Sequence, residues 1–133
     1  MNANVKGSEK TLVCVVDDDF LARESTARLL RSFKFNVKAL ASAEEFLNSD
    51  CLAETACLIL DVRMPGMSGL ELQRRLAVSN SDLPIIFITA HEDEDQRRQA
   101  LEAGAVAFLY KPLYEEAPLN AIDTALKEHG PNR

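Results

Sequence analysis

Basic residues are in deficit in this chain: 15 Lys and Arg face 21 Asp and Glu, a net charge of −6. A domain that grips nucleic acid through its own surface carries a basic patch, so that function class is set aside for this domain. Cysteine is scarce. The three thiols, Cys14, Cys51 and Cys57, are odd in number and form no CxxC pair. Cys14 and Cys57 sit inside apolar runs, where a free thiol behaves as a small buried hydrophobe rather than a metal or redox ligand. No apolar stretch is long enough to cross a bilayer. Residues 1–10 are polar and lack a signal-peptide core. Internal repeats and low-complexity linkers are absent too. The expectation is a reduced, cytoplasmic, soluble domain with no membrane partner.

What is present is ordinary in amount and specific in order. A length of 133 residues, 47% apolar and 27% charged, suits one domain with one core. Five apolar runs of strand length, about residues 11–16, 36–40, 56–60, 84–89 and 107–110, alternate with helical patterns. Four of the runs are nearly continuously apolar, as strands buried on both faces of a parallel sheet must be. The second, Asn36-Val37-Lys38-Ala39-Leu40, is mixed and reads as an edge strand.

The helices are expected at about 20–33, from 42, at 68–79, at 93–103 and around Leu119, Ile122 and Leu126. The first should turn Leu21, Leu29, Leu30 and Phe33 inward. Ser42-Ala43-Glu44-Glu45 and Ser68-Gly69-Leu70-Glu71 each have the form of a capping box. Gly104 is a stop signal for the fourth helix. That helix is charged on most faces, has few apolar anchors and should pack loosely. The architecture is α/β, a (βα)₅ doubly wound five-stranded parallel sheet. Its expected order is 2-1-3-4-5, flavodoxin-like, with the switch point between strands one and three. Residues 1–10 read as a flexible leader, 11–129 as the domain, and 130–133 as a tail or the start of a linker.

The polar residues that end the runs carry the chemistry. Asp17 and Asp18 follow the first run, Asp61 the third, Thr89 the fourth, and Lys111, with Pro112 behind it, the fifth. Parallel strands bring all five to one sheet edge, where ligands of open α/β sheets bind. Each alone has an ordinary role: a turn cap, a solvated loop, a β-branched strand residue, a surface lysine. Together, three acids, a hydroxyl and an ammonium suit a divalent cation with a phosphoryl group beside it. Asp61 can attack phosphorus and form an acyl phosphate. Asp17 and Asp18 are assigned to Mg²⁺, and Asp19 to capping the first helix. Thr89 and Lys111 are the electrostatic partners that phosphoryl transfer needs. Pro112 favours a cis bond after Lys111.

The segments Val15-Val16-Asp17-Asp18-Asp19, Leu60-Asp61-Val62-Arg63-Met64-Pro65-Gly66-Met67-Ser68-Gly69, Ile88-Thr89-Ala90 and Tyr110-Lys111-Pro112 resemble the receiver domain of bacterial two-component response regulators. The resemblance covers about residues 11–128. Arg63 and His91 make it most like the receivers of LuxR-type transcription regulators. It implies that Asp61 is the phosphoacceptor, and that Asp18, Asp61 and the Arg63 carbonyl bind Mg²⁺ directly while Asp17 acts through water. It also implies that Thr89 closes on the phosphoryl group, that Lys111 pairs with it, and that Phe108 is a switch aromatic turning inward. The donor would be a phosphohistidine on a sensor histidine kinase. The output would appear on the face of helix four, strand five and helix five, as a homodimer or release of an output domain. Enzymatic activity would be at most a slow self-dephosphorylation.

Three positions depart from the family pattern. Lys34 stands where many receivers have Gly, and is expected at positive φ because the first helix must stop just before Phe35. Tyr114 is a poor N-cap, and Pro118 falls early in the fifth helix, so that helix is expected to start late or irregularly. The thinly anchored fourth helix is the third. Other functions of the same fold compete with this reading. A flavodoxin-like binder needs a hydroxyl- and glycine-rich first loop, and Asp17-Asp18-Asp19-Phe20 would repel a phosphate without a metal. A phosphorylation-independent dimerisation module would not need the complete acidic set. A metal-dependent hydrolase is the third. A Mg²⁺ titration with a phosphoryl analogue separates them.

Overall fold

In the computed structural model, residues 11–79, 81–114 and 116–129 are described. The expected leader, 1–10, and tail, 130–133, lie outside them. The elements are β1 (Leu12–Val16), α1 (Phe20–Ser32), β2 (Asn36–Leu40), α2 (Ala43–Leu47), a short 3₁₀ turn (Leu52–Glu54), β3 (Thr55–Asp61), α3 (Gly69–Val78), β4 (Ile85–Thr89), α4 (Glu94–Glu102), β5 (Ala107–Tyr110) and α5 (Glu116–His129). All strand pairs are parallel, in the order β2-β1-β3-β4-β5. This is the doubly wound order read from the sequence. The 3₁₀ turn was not foreseen. Among the described residues no helix is long and apolar enough to cross a membrane.

Period-two alternation splits the core between the sheet's faces. Cys14, Val16, Leu58, Leu60 and Phe87 meet Phe46, Leu72, Leu76 and Ala100 from α2, α3 and α4. Val13, Val15, Cys57, Ile59, Ile86 and Ile88 meet Ala27, Leu30, Ala121, Ile122 and Ala125 from α1 and α5. Because β1, β3 and β4 bury both faces, their runs are continuously apolar. Each enclosed Val, Leu or Ile contributes ~1.5–3 kcal/mol. The thiols behave as hydrophobes: burial pushes Cys14 up to about 11 and Cys57 up to about 12.

Two local expectations need correction. Leu21 is not on the inner face of α1; it is 75% exposed, and Thr26, Ala27 and Leu30 are the buried positions. At 100° per residue Leu21 lies opposite Leu30, so both cannot face the sheet. At α2 the box is half formed. Ser42 Oγ accepts the Glu45 N–H at 3.0 Å, but the Glu45 carboxylate accepts from Ala41 N at 2.6 Å, one residue before the cap. The box at Ser68 and Glu71 closes in both directions. Pro118 sits in the first turn of α5, where its missing N–H leaves no bond unmade.

α1 and α4 end in the same way. Lys34 N donates to Arg31 O, and Phe35 N to Leu30 O; Gly104 N donates to Leu101 O, and Ala105 N to Ala100 O. This pair of bonds is the Schellman pattern, and it requires positive φ at the residue after the cap. Gly104 has φ 105° and Lys34 has φ 76°. The lysine therefore holds a conformation that costs a residue with a Cβ ~1–2 kcal/mol. Lys34→Gly should be neutral or stabilising by up to about 1 kcal/mol, the gain being offset by the extra freedom of glycine in the unfolded chain. Gly104→Ala, where a Cβ would meet no atom within 4 Å, should destabilise through φ alone. Urea midpoints of the two variants check both signs.

Candidate functional site

The sheet delivers five polar groups to one edge. Asp17 directly follows β1, Asp61 ends β3 and Thr89 ends β4. Lys111 directly follows β5 and is tied to β4 by its N–H to the Thr89 carbonyl at 2.8 Å. The Lys111–Pro112 bond is cis, as Pro112 suggested. Asp17, Asp18 and Asp61 each place a carboxylate oxygen within 4.8 Å of the others. Asp17 is fully buried, Asp61 nearly so, and Asp18 is exposed at the rim. Lys111 Nζ stands between the two buried acids, 2.9 Å from Asp17 Oδ2 and 3.5 Å from Asp61 Oδ2.

The charges do not balance. Three carboxylates share one ammonium, a deficit of two positive charges. Burial, then the Asp17 charge, pushes the Asp61 carboxyl up to about 7, against the opposing pull of Lys111. Burial works to lower the Lys111 pKa, but Asp17 and Asp61 overcome it and hold the ammonium above its ordinary value. Asp17 Oδ1 accepts the Asp19 N–H at 3.0 Å. Its buried partner, Oδ2, has the lysine beside it but no hydrogen bond of acceptable geometry. An under-satisfied buried oxygen in an all-oxygen cluster short of two charges fits a hard divalent cation.

Neighbouring residues fix this arrangement. Asp19 caps α1 as expected, accepting from Leu21 N at 3.1 Å and Ala22 N at 3.5 Å. Arg23 Nη1 donates to the Asp17 carbonyl at 2.8 Å. Gly69 lies so close to β3 that a Cβ would collide with the Asp61 carbonyl oxygen and touch the Phe87 ring. Glu44 Oε2 accepts the Met67 N–H at 2.9 Å and so pins the loop that follows Asp61. Sequence reasoning missed the Glu44 contact, whose partners stand 23 residues apart. Glu44 sits inside the helix-start pattern at Ser42, which gave it a local role only.

The remaining candidates fall around the cluster. Thr89 is buried, and its Oγ1 accepts the His91 N–H at 3.1 Å, which leaves the hydroxyl hydrogen free to donate. Arg63 sends its guanidinium away, to Asp93, 3.5 Å from Oδ2. Phe108 is 8% exposed, with its ring centroid 6.1 Å from Phe87 and 5.7 Å from Tyr110. The inward turn expected of Phe108 thus meets a ring that is already enclosed.

Comparison with known proteins accords with this geometry. The family described as the response regulator receiver domain matches residues 13–123. The response regulator protein TmoT of Ectopseudomonas mendocina is 46% identical over 119 residues, covering 90% of this chain and 54% of TmoT. The transcriptional regulatory protein FixJ of Bradyrhizobium diazoefficiens is 35% identical over 119 residues, covering 90% of this chain and 58% of FixJ. The solved structure of the response regulator StyR superposes with a TM-score of 0.84 at 45% identity, over 93% of this chain and 63% of that one. The chain spans just over half the length of these curated relatives. With the family match running from β1 into α5 and the acids of its strand ends gathered at one edge, the chain belongs to the response regulator receiver domains.

Proposed function

We propose that this domain accepts a phosphoryl group on Asp61 from a phosphohistidine of a sensor histidine kinase, in a Mg²⁺-dependent reaction. The observation that carries this reading is the buried Asp61 carboxylate, set between two further acids and the Lys111 ammonium. An Asp61 carboxylate oxygen attacks phosphorus, the bond from phosphorus to the histidine nitrogen breaks, and that nitrogen leaves with its electron pair and takes up a proton. Asp18, Asp61 and the Arg63 carbonyl would hold Mg²⁺ directly, and Asp17 would hold it through water. When bound, Mg²⁺ supplies the missing positive charge for the carboxylates and the phosphoryl oxygens. Lys111 orients one phosphoryl oxygen as a point cation. Thr89 donates its hydroxyl hydrogen to another, giving up the His91 N–H as it moves.

The domain extends over 11–129, with 1–10 as leader and 130–133 as tail or linker start, and acts in the cytoplasm. It turns over no substrate beyond slow loss of its own phosphoryl group. Thr89 and Phe108 pass the change to the face formed by α4, β5 and α5, where it controls a homodimer or an output domain. The likeness to FixJ, a transcriptional regulatory protein, points that output to transcription. The acidic net charge leaves nucleic-acid contact to a domain other than this one.

Incubation with acetyl phosphate and Mg²⁺, followed by borohydride trapping and mass spectrometry, should place the adduct on Asp61 alone. Asp61→Asn should take up none; label elsewhere, or full labelling of that variant, contradicts the reading. Asp18→Ala should lose both Mg²⁺ binding and phosphoryl transfer, while its metal-free fold is retained or stabilised because one of the crowded charges is gone. Phosphorylation at the wild-type rate in Asp18→Ala would show that the metal site is misassigned.

A further inference from the structure

Arg63 stands two residues beyond Asp61, in the loop that follows β3. Its guanidinium reaches a different element. Nη2 lies 3.5 Å from Asp93 Oδ2, with the two side chains 48% and 35% exposed. Asp93 is the N-cap of α4, and its Oδ1 accepts the Gln96 N–H at 3.1 Å. One carboxylate therefore joins the first turn of α4 to the loop that follows the acceptor. The pairs Arg97–Glu94 and Arg98–Asp95 are internal to α4. Among the described residues, Arg63–Asp93 is the one ion pair between the α4 segment and another element.

The far end of α4 is held differently. Gln73 of α3 is buried and donates Nε2 to the Ala100 carbonyl at 3.0 Å. Ala100 is the buried residue of α4. Breaking that bond would strand an amide in apolar surroundings. The attachment at Asp93 is open to water and salt and is the weaker of the two. α4 thus has a pivot near Ala100 and a latch at Asp93.

We infer that Arg63 senses the phosphoryl group: it exchanges Asp93 for the phosphoryl oxygens, and the first turn of α4 is then free to swing about the Gln73–Ala100 bond. This rests on the reading of Asp61 as phosphoacceptor. A phosphoryl group on Asp61 brings close to two negative charges within two residues of the guanidinium. The planar fork of arginine matches phosphoryl oxygens in bidentate geometry, which a single partly exposed carboxylate at 3.5 Å does not offer. Asp93 is therefore a competitor of the phosphoryl group for Arg63. Its removal should favour the activated state, and removal of Arg63 should disfavour it.

The test titrates the full chain with beryllofluoride at saturating Mg²⁺. Asp93→Asn keeps a capping side chain and loses the ion pair; it should bind roughly two- to fivefold tighter. Arg63→Ala should bind about tenfold more weakly, having lost a charge-assisted contact. In the double variant Asp93→Asn should add nothing, because its effect acts through Arg63. In the wild type, beryllofluoride should speed hydrogen exchange at the Gln96 amide and leave the Gln73 side-chain amide unshifted. Tightening by Asp93→Asn in both backgrounds would reduce Asp93 to a general charge effect and overturn the inference, as would wild-type affinity in Arg63→Ala. Binding with an unresponsive Gln96 amide overturns this inference alone. A wild-type protein that does not bind beryllofluoride overturns the phosphoacceptor reading and this one with it.

Discussion

Three carboxylates crowded around one ammonium are the constraint that the rest of this domain must meet. Asp17, Asp18 and Asp61 lie within 4.8 Å of one another, with Lys111 against the two buried ones. Such a cluster opposes folding through mutual repulsion and desolvation. It persists because the sheet fixes the backbone beneath it. Val16 pairs with Leu60, Asp61 with Ile88, and Thr89 with Tyr110, so each polar residue is held in register at the end of a strand, and β1, β3 and β4 are buried almost throughout. The apolar core, not the site, provides the stability that holds the acids together.

The same arrangement suits Asp61 to phosphoryl chemistry. Its carboxyl is pushed up to about 7 by burial and by Asp17, so its charged form gains from any cation placed beside it. Lys111 answers part of this need from the β5 side. Around that centre the supporting contacts are short and local to the loops: Arg23 on the Asp17 carbonyl, Glu44 on the Met67 N–H, and the close approach of Gly69. Arg23 ties down the turn after β1, and Glu44 and Gly69 tie down the β3–α3 loop, while α4 has Ala100 as its buried residue.

Sequence reasoning reached the strands and their order because short, continuously apolar runs that alternate with helical patterns are what a parallel sheet covered on both faces demands. It reached the five polar groups because each stands at the end of such a run. The left-handed Lys34 was legible from the short distance between helix and strand. Leu21 was misplaced because α1 has few large apolar residues, and residue type outweighed the angular position that sets burial. The Ser42 box was half right, since the pattern fixes which residues are near but not which N–H the Glu45 carboxylate takes. Contacts such as Gln73 with Ala100, 27 residues apart, have no local signature at all. They exist only once the helices have been laid on the sheet.

Whether a divalent cation completes the acid cluster is decided by urea unfolding at neutral pH as a function of Mg²⁺. A cation that binds only the folded cluster should stabilise the domain by RT ln(1 + [Mg²⁺]/Kd), about 2.7 kcal/mol at one hundred times Kd. The wild-type midpoint should therefore rise with Mg²⁺ at constant ionic strength. A wild-type midpoint that does not respond to Mg²⁺ under those conditions would contradict a cation-completed site.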